Sequence, residues 1–461
     1  MIMTYDEAVE YIINVPRFNK YIEQNHVANA TLIALMEKLG NPQLKVKTIH
    51  IAGTNGKGST VQLIKNILVG SGYRVGCFVS PHLIKINERI SLWSSLKENS
   101  EDTYIKDDEF LEAFYKVMTA YDEVKAKADD RLPSLTFFEY VFAIAAVYFE
   151  NKNIDYCIYE TGLGGRLDAT NILIPELTVI TSIGLDHMKL LGDTIEQIAA
   201  EKAGIIKPGV PIVFNTGEEQ ADFVISNRAR ELNSPEINVA KGKYIINDFT
   251  PSAIDFSCSN SYYIYQHINI SSAGLYQVDN ARTAIEACNN LPGIKTPISE
   301  DIIRAACDSF CWQGRMERLC DNVILDGAHN LDAIIPFTKS VKALCMDKGV
   351  NVLFAVADDK NYEDMIKYLS DNLKLKNVYV TSIESDRRVL PEQVADIFRG
   401  FVGEELCKPK PCNIFSDNDL KKVFDMAYNR TVEAGETLFC VGSLYLIGSI
   451  KEHYQRKYKN D

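Results

Sequence analysis

The residues best suited to chemistry come early, in the run Gly53-Thr54-Asn55-Gly56-Lys57-Gly58-Ser59-Thr60. An apolar, β-branched stretch, Thr48–Ala52, precedes it and an amphipathic one, Gly58–Val69, follows, which reads as strand, loop and helix. Glycines let backbone amides wrap a phosphate, the helix start adds a positive dipole end, and Lys57 brings a cation for transferring charge. Ser59 and Thr60 offer hydroxyls to phosphate or metal. The strict nucleotide-loop pattern is broken twice. Ile51 stands where its first glycine belongs, and Gly58 separates Lys57 from the hydroxyl residues. An incidental glycine-rich turn is the competing explanation, and the strand-loop-helix setting weighs against it. Residues Thr54 through Thr60 are therefore candidate contacts to a nucleotide.

In an open α/β sheet, ligands collect beyond the carboxyl ends of the strands. Three polar groups fall at such ends: Ser80 after Arg74–Val79, Glu160 closing Tyr156–Glu160, and His187 in the turn after Leu177–Ile183. A hydroxyl, a carboxylate and an imidazole around a nucleotide suit magnesium held by few protein ligands and by phosphates, although imidazole is an unusual partner for so hard an ion. Glu160 could instead cap a helix or pair with a cation, and His187 could be a hydrogen-bonded loop residue beside Asp186. The coincidence of three strand ends favours the metal. A guanine-reading switch protein fits poorly, since the nearest thing to its Asn-Lys-x-Asp is Asn151-Lys152-Asn153-Ile154-Asp155, one residue too long.

The elements that must carry these groups alternate. Strand candidates Thr48–Ala52, Arg74–Val79, Tyr156–Glu160, Leu177–Ile183 and Pro211–Asn215 are separated by helical stretches at Gly58–Val69, Glu109–Lys125, Thr136–Glu150 and Thr194–Ile206, the pattern of a doubly wound α/β domain. Residues 237 to 276 change character, with aromatic and β-branched residues among Ser and Asn, and predict a small antiparallel appendage of that domain. The alternation restarts with strands at Val323–Leu325, Val352–Val356, Val378–Thr381, Asn413–Phe415 and Leu438–Val441. The predicted architecture is an N-terminal phosphate-loop ATPase domain over 1–309 and a smaller, Rossmann-like α/β domain over 310–461.

Composition narrows the function. With 62 Asp and Glu against 49 Lys and Arg, the chain lacks the basic balance of a nucleic-acid surface, so an anionic substrate must meet local positive charge. Eleven cysteines with no CxxC pair suit free thiols in a reducing cytoplasm. Neither Cys307 with Cys311 nor Cys407 with Cys412 has a histidine nearby to complete a zinc site. Asp6, Glu7 and Glu10 do not suit a secretory signal. The longest apolar run, Val141–Phe149, is about half of what a bilayer requires and predicts a buried helix. A cytoplasmic monomer acting on small molecules, without membrane or nucleic-acid partners, is expected.

Taken in order, six signals resemble the Mur ligase superfamily, and within it the folylpolyglutamate synthase and dihydrofolate synthase branch. They are the loop Gly53 to Thr60, Ser80-Pro81-His82-Leu83, Thr136-Phe137-Phe138-Glu139, the run Glu160 to Asn171, Gly314-Arg315 with Glu317, and Asp326-Gly327-Ala328-His329-Asn330. The resemblance spans nearly the whole chain, and the broken nucleotide loop is this family's normal form. It implies ATP as co-substrate and Ser80, Glu160 and His187 as magnesium ligands. It also implies that Lys202 is carried as a carbamate, an extra oxygen ligand, where an unmodified lysine on a helix surface is the alternative. Asn280 is similar to the residue contacting the adenine side of ATP, and Arg315 and Asp326 to its phosphate and ribose partners, which would place the site between domains. His329 and Ser443 correspond to residues near incoming glutamate, with a cap or core role equally open. Thr136, Phe137, Phe138 and Glu139 correspond to a pterin-facing segment, and Leu167, Asp168 and Ala169 to a neighbouring loop. Simple helix packing is the alternative for one of the two phenylalanines.

The implied reaction turns a carboxylate into an acyl phosphate, with Lys57 and magnesium screening the phosphoryl group. The amine of L-glutamate then attacks the acyl carbon, with His329 orienting it. The acceptor would be a reduced folate, dihydropteroate, or both. A cell-wall precursor ligase of the same superfamily is the second expectation. A non-enzymatic nucleotide-binding protein is a remote third, which leaves Arg315, Asp326 and His329 without a role.

Overall fold

The computed structural model describes residues 3–16, 29–128, 132–346, 348–358, 361–383, 387–403 and 412–459; Cys407 lies outside them. The ten described cysteines are all free thiols. No helix among the described residues is long and apolar enough to cross a membrane.

Two compact units divide the chain. The first holds Met1–Lys243, Cys258–Ile264 and Asp279–Ser309, the second Tyr244–Ser257, Tyr265–Val278 and Phe310–Asp461. In the first unit, strands β1 (Lys47–Ala52), β2 (Val75–Phe78), β3 (Ile90–Trp93), β4 (Tyr156–Glu160), β5 (Leu177–Ile180), β6 (Ile212–Phe214) and β7 (Glu236–Asn238) form one sheet. Its order is β3-β2-β4-β1-β5-β6-β7, with every pair parallel except β2 with β3. β1 is central and buried from its second residue onward, as expected where helices cover both faces of a parallel sheet.

Two sequence expectations need correction at their edges. β3 and β7 were not anticipated, because four and three residues at a sheet margin carry too little periodicity to register. β5 ends at Ile180 and not at Ile183. Thr181 and Ser182 leave the sheet to pair with the phosphate loop, where Ser182 forms an isolated bridge with Asn55.

The helix Phe137–Glu150 is buried on nearly all sides, from Glu139 through Phe149. Thr136 caps it, its hydroxyl accepting from the Glu139 amide while the Glu139 carboxylate accepts from the Thr136 amide at 2.7 Å. Burying its Phe142, Ile144 and Phe149 contributes about 1.5–3 kcal/mol each before conformational entropy is charged. This core seats the first unit's sheet.

Strands β8 (Lys243–Phe249), β9 (Ile254–Ser259) and β10 (Ile264–Ile270) make the predicted small sheet, in order β10-β9-β8. The short connections between them require antiparallel hairpins. Most of its residues belong with the second unit rather than the first.

The second unit's own sheet has strands β11 (Glu317–Cys320), β12 (Val323–Asp326), β13 (Val350–Phe354), β14 (Leu375–Val380), β15 (Asn413–Ser416) and β16 (Leu438–Val441). They run in order β11-β12-β16-β13-β14-β15, parallel apart from the β11–β12 pair. This is the expected smaller, Rossmann-like α/β arrangement, with one strand not anticipated, the four-residue antiparallel edge strand β11.

Candidate active site

Everything at the phosphate loop follows from where β1 ends. Gly53 leaves the strand at φ 151°, and a Cβ there would stand 1.8 Å from the Thr181 hydroxyl, so no side chain fits. Gly56, at φ 85°, starts the helix Lys57–Gly70, and its missing side chain is what admits Asn280, whose Oδ1 would lie 2.4 Å from a Cβ at that position. Asn280 thus packs against the loop itself. From the other side the Thr181 hydroxyl donates to the Asn55 carbonyl at 2.7 Å and the Ser182 hydroxyl to the same oxygen at 3.1 Å. The Thr54 amide donates to the Ser182 carbonyl at 2.7 Å, and the Thr54 hydroxyl exchanges hydrogen bonds with Gly184. A loop braced in this way presents its amides already oriented.

Two lysines converge on one carbonyl. Lys57 Nζ donates to the carbonyls of Gly53 and Thr54, both at 3.0 Å, and Lys202 Nζ donates to Gly53 at 2.8 Å. Lys202 sits on the helix Ile195–Ala203 and is 3% exposed. Burial, and then the positive charge of Lys57, push its pKa down to about 7, against the opposing pull of Asp186 and Asp168. Lys202 is therefore no surface lysine. In the first turn of the helix Lys57–Gly70, Ser59 and Thr60 are buried, and the Thr60 hydroxyl has no hydrogen-bond partner.

Ser80 lies two residues past β2, which ends at Phe78 and not at Val79, and meets Glu160 at the end of the neighbouring β4: the Ser80 amide donates to Glu160 Oε2 at 3.1 Å, and Glu160 is buried. His187 starts the short helix Met188–Leu191 in a left-handed conformation, φ 52°. Its side chain is 43% exposed and its Nε2 lies 4.0 Å from Asp186 Oδ2. Among the described residues no group of three or more His, Cys, Asp and Glu side chains is placed to hold a metal.

The other predicted residues of the first unit gather around the loop after β4. Phe138 lies over Gly162, where an added Cβ would be 2.8 Å from its ring, and packs 5.4 Å from Phe78. Phe137 lies 5.1 Å from the Arg89 guanidinium. Thr136 and Glu139 bond each other, and burial pushes the Glu139 carboxyl up. Asp168 is buried, Ala169 is buried behind it, and Leu167 is exposed.

In the second unit Asp326 ends β12 with its carboxylate turned inward. It accepts from the Tyr276 hydroxyl at 2.6 Å, the Met316 amide at 3.0 Å and the Ala328 amide at 2.8 Å. Burial raises its pKa, opposed first by Arg315. The Arg315 guanidinium passes beside Gly327, where a Cβ would be 2.6 Å from Nη1. His329 donates from Nδ1 to the Gly327 carbonyl at 2.8 Å. Ser443 caps the helix Leu444–Tyr458 and is buried.

Residues 110–288 match the Mur ligase middle domain and residues 314–444 the Mur ligase glutamate ligase domain. The dihydrofolate synthase/folylpolyglutamate synthase of Bacillus subtilis (strain 168) is 35% identical over 424 residues, 91% of this chain and 93% of its own. The chain belongs to the dihydrofolate synthase/folylpolyglutamate synthase family. Within that family the Lacticaseibacillus casei folylpolyglutamate synthase is 30% identical over 400 residues, 85% of this chain and 88% of its own. Escherichia coli FolC, solved in complex with DHPP and ADP, aligns with a TM-score of 0.81 at 26% identity, over 99% of this chain and 98% of that one.

Two sets of residues in this family member escaped the sequence reading. Thr181 and Ser182 brace the phosphate loop but look like strand residues in a β-branched run; their signal was position, one step past a strand end. Tyr276 holds Asp326 from a segment whose aromatics read as sheet filler. Tyr276→Phe removes a hydroxyl from a buried carboxylate and is expected to cost roughly 1.5–3 kcal/mol, seen as a lower urea midpoint for the second unit.

Proposed function

We propose that this chain ligates L-glutamate to the carboxylate of a folate, consuming ATP and releasing ADP and phosphate through an acyl-phosphate intermediate. The observation that carries this reading is the convergence of Lys57 and Lys202 on the Gly53 carbonyl at the mouth of a phosphate loop, in a chain of this family. A carboxylate resists amine attack until one oxygen becomes a leaving group, and the γ-phosphoryl group of ATP supplies that conversion. The loop amides of Thr54 to Thr60 would hold the phosphates, Asn280 the adenine side, and Lys57 the charge that develops on the transferring group. Arg315 and Asp326 are assigned to the phosphate and ribose of the nucleotide, and His329 and Ser443 to incoming glutamate. His329, its ring fixed by the Nδ1 bond to the Gly327 carbonyl, is assigned to orient the attacking amine.

Ser80, Glu160 and His187 would hold magnesium, which when bound screens charge on the phosphates. A hydroxyl and a carboxylate oxygen suit so hard a cation, and His187 is the softer donor of the set. Lys202 is assigned as a carbamate. Only a neutral amine takes up carbon dioxide, and a lysine whose pKa falls to about 7 offers that form at neutral pH. Phe137, Phe138 and the loop Leu167, Asp168 and Ala169 would flank the pterin, with Thr136 and Glu139 fixing the helix start beneath. The enzyme is further inferred to be a cytoplasmic monomer with neither membrane nor nucleic-acid partners; its acidic balance supports the last of these.

The acceptor is inferred to include both a reduced folate and dihydropteroate. Phosphate release from ATP and magnesium, with dihydropteroate, tetrahydrofolate or no acceptor and with or without L-glutamate, tests this. Glutamate-dependent release with both acceptors is expected. Release with one alone restricts the enzyme to one step, and release with neither overturns the folate reading in favour of a cell-wall precursor ligase.

A further inference from the structure

His50 is fully buried in the middle of β1, three residues before the phosphate loop, and nothing in the reaction uses it. Its Nε2 lies 2.7 Å from the Thr170 hydroxyl, which lies 2.5 Å from Asp168 Oδ1. Asp168 also accepts from the Thr170 amide at 3.0 Å, and its Oδ2 accepts from the amides of Gly162 and Leu163, both at 2.9 Å. Four donors aimed at one carboxyl group make it an acceptor, so the Thr170 hydroxyl gives its proton to Asp168 and must accept from His50. That fixes His50 as the Nε2–H tautomer. Its Nδ1 is buried with no hydrogen-bond partner, an arrangement that costs stability and calls for a reason. Burial holds the imidazole neutral by pushing its pKa down to about 3.

The chain of bonds ends at a functional surface. Phe138 rests on Gly162, leaving no room there for a Cβ, so the backbone that Asp168 grips is also the seat of the pterin-facing ring. We propose that His50, Thr170 and Asp168 form a positioning chain that sets the Gly162–Leu163 backbone, and through it Phe138, for folate binding. This rests on the folate reading above. Asp168 then acts by shaping the folate subsite through backbone amides, with its own carboxylate saturated by protein donors.

Steady-state kinetics on the full-length protein test it, with His50→Leu and Thr170→Val chosen to keep volume. Each is expected to raise KM for the folate acceptor about tenfold, with KM for ATP and kcat at saturating folate within about twofold of wild type. The double variant is expected to be no worse than the weaker-binding single, since the residues act in series. Thr170→Ser, which keeps the hydroxyl, is expected to restore wild-type KM. An unchanged folate KM, an equal rise in the KM for ATP, or multiplying effects in the double variant overturns the proposal. Should His50→Leu fail to fold, the Thr170→Val and Thr170→Ser pair decides the matter alone. A wild-type enzyme without turnover on any folate instead overturns the functional reading, and this inference with it.

Discussion

Lys202→Met is expected to lower kcat by about 100-fold, the scale of losing a group of the kind proposed above to tune a metal site, while making the folded protein more stable at pH 7. The two effects have one cause. With its pKa pushed down from 10.5 to about 7, Lys202 takes up its proton in the unfolded chain and not in the folded one across the window between those values. Stability therefore rises as pH climbs through that window, and below about pH 7 the full cost of burying the cation is present. A shift of that size corresponds to roughly 4 kcal/mol at pH 7, an upper figure because the interior relaxes around the charge. Methionine fills the space without the charge, and the Gly53 carbonyl keeps Lys57 as its donor. In buffer depleted of carbon dioxide the variant should melt a few degrees above wild type at pH 7, an advantage that shrinks toward pH 10. Bicarbonate should raise the wild-type rate and leave the variant unmoved. A variant both fast and insensitive to bicarbonate would remove Lys202 from the chemistry.

Much of this was legible in the residues because the phosphate loop, its strand and its helix are contiguous, and local chemistry dictates each. Gly53 and Gly56 had to be glycines for reasons of space that the loop pattern already encodes. The bracing of that loop was not legible, since Thr181 and Ser182 arrive from residues far along the chain and show their role only once β5 stops at Ile180. The same holds for Tyr276 and Asp326, fifty residues apart. Burial was the harder quantity: nothing in Ala200-Glu201-Lys202-Ala203 states that one lysine turns inward onto a carbonyl while its glutamate neighbour pairs with Arg166 outside. A helix carries one polar face to solvent and the other wherever the sheet happens to be, and only the three-dimensional packing decides which.

Lys57→Met should be the most damaging single change, costing about 10²–10³-fold in kcat with a smaller rise in KM for ATP. On the proposed reading the ground-state triphosphate would be held chiefly by loop amides, which the substitution leaves in place, whereas the extra charge on the transferring phosphoryl group would need a cation that moves with it. Lys57 is poised for that role, half-buried and bound back onto the Gly53 and Thr54 carbonyls at 3.0 Å. A second consequence separates this account from a purely local one. The charge of Lys57 is, after burial, the largest influence holding down the pKa of Lys202. Removing it should raise that pKa, leave less neutral amine at a given pH, and move the bicarbonate activation of the residual rate to higher pH. Titrating that activation in wild type and variant measures the shift directly. Coincident profiles would mean that the two ammonium groups, though they share one carbonyl, do not sense each other in the working enzyme.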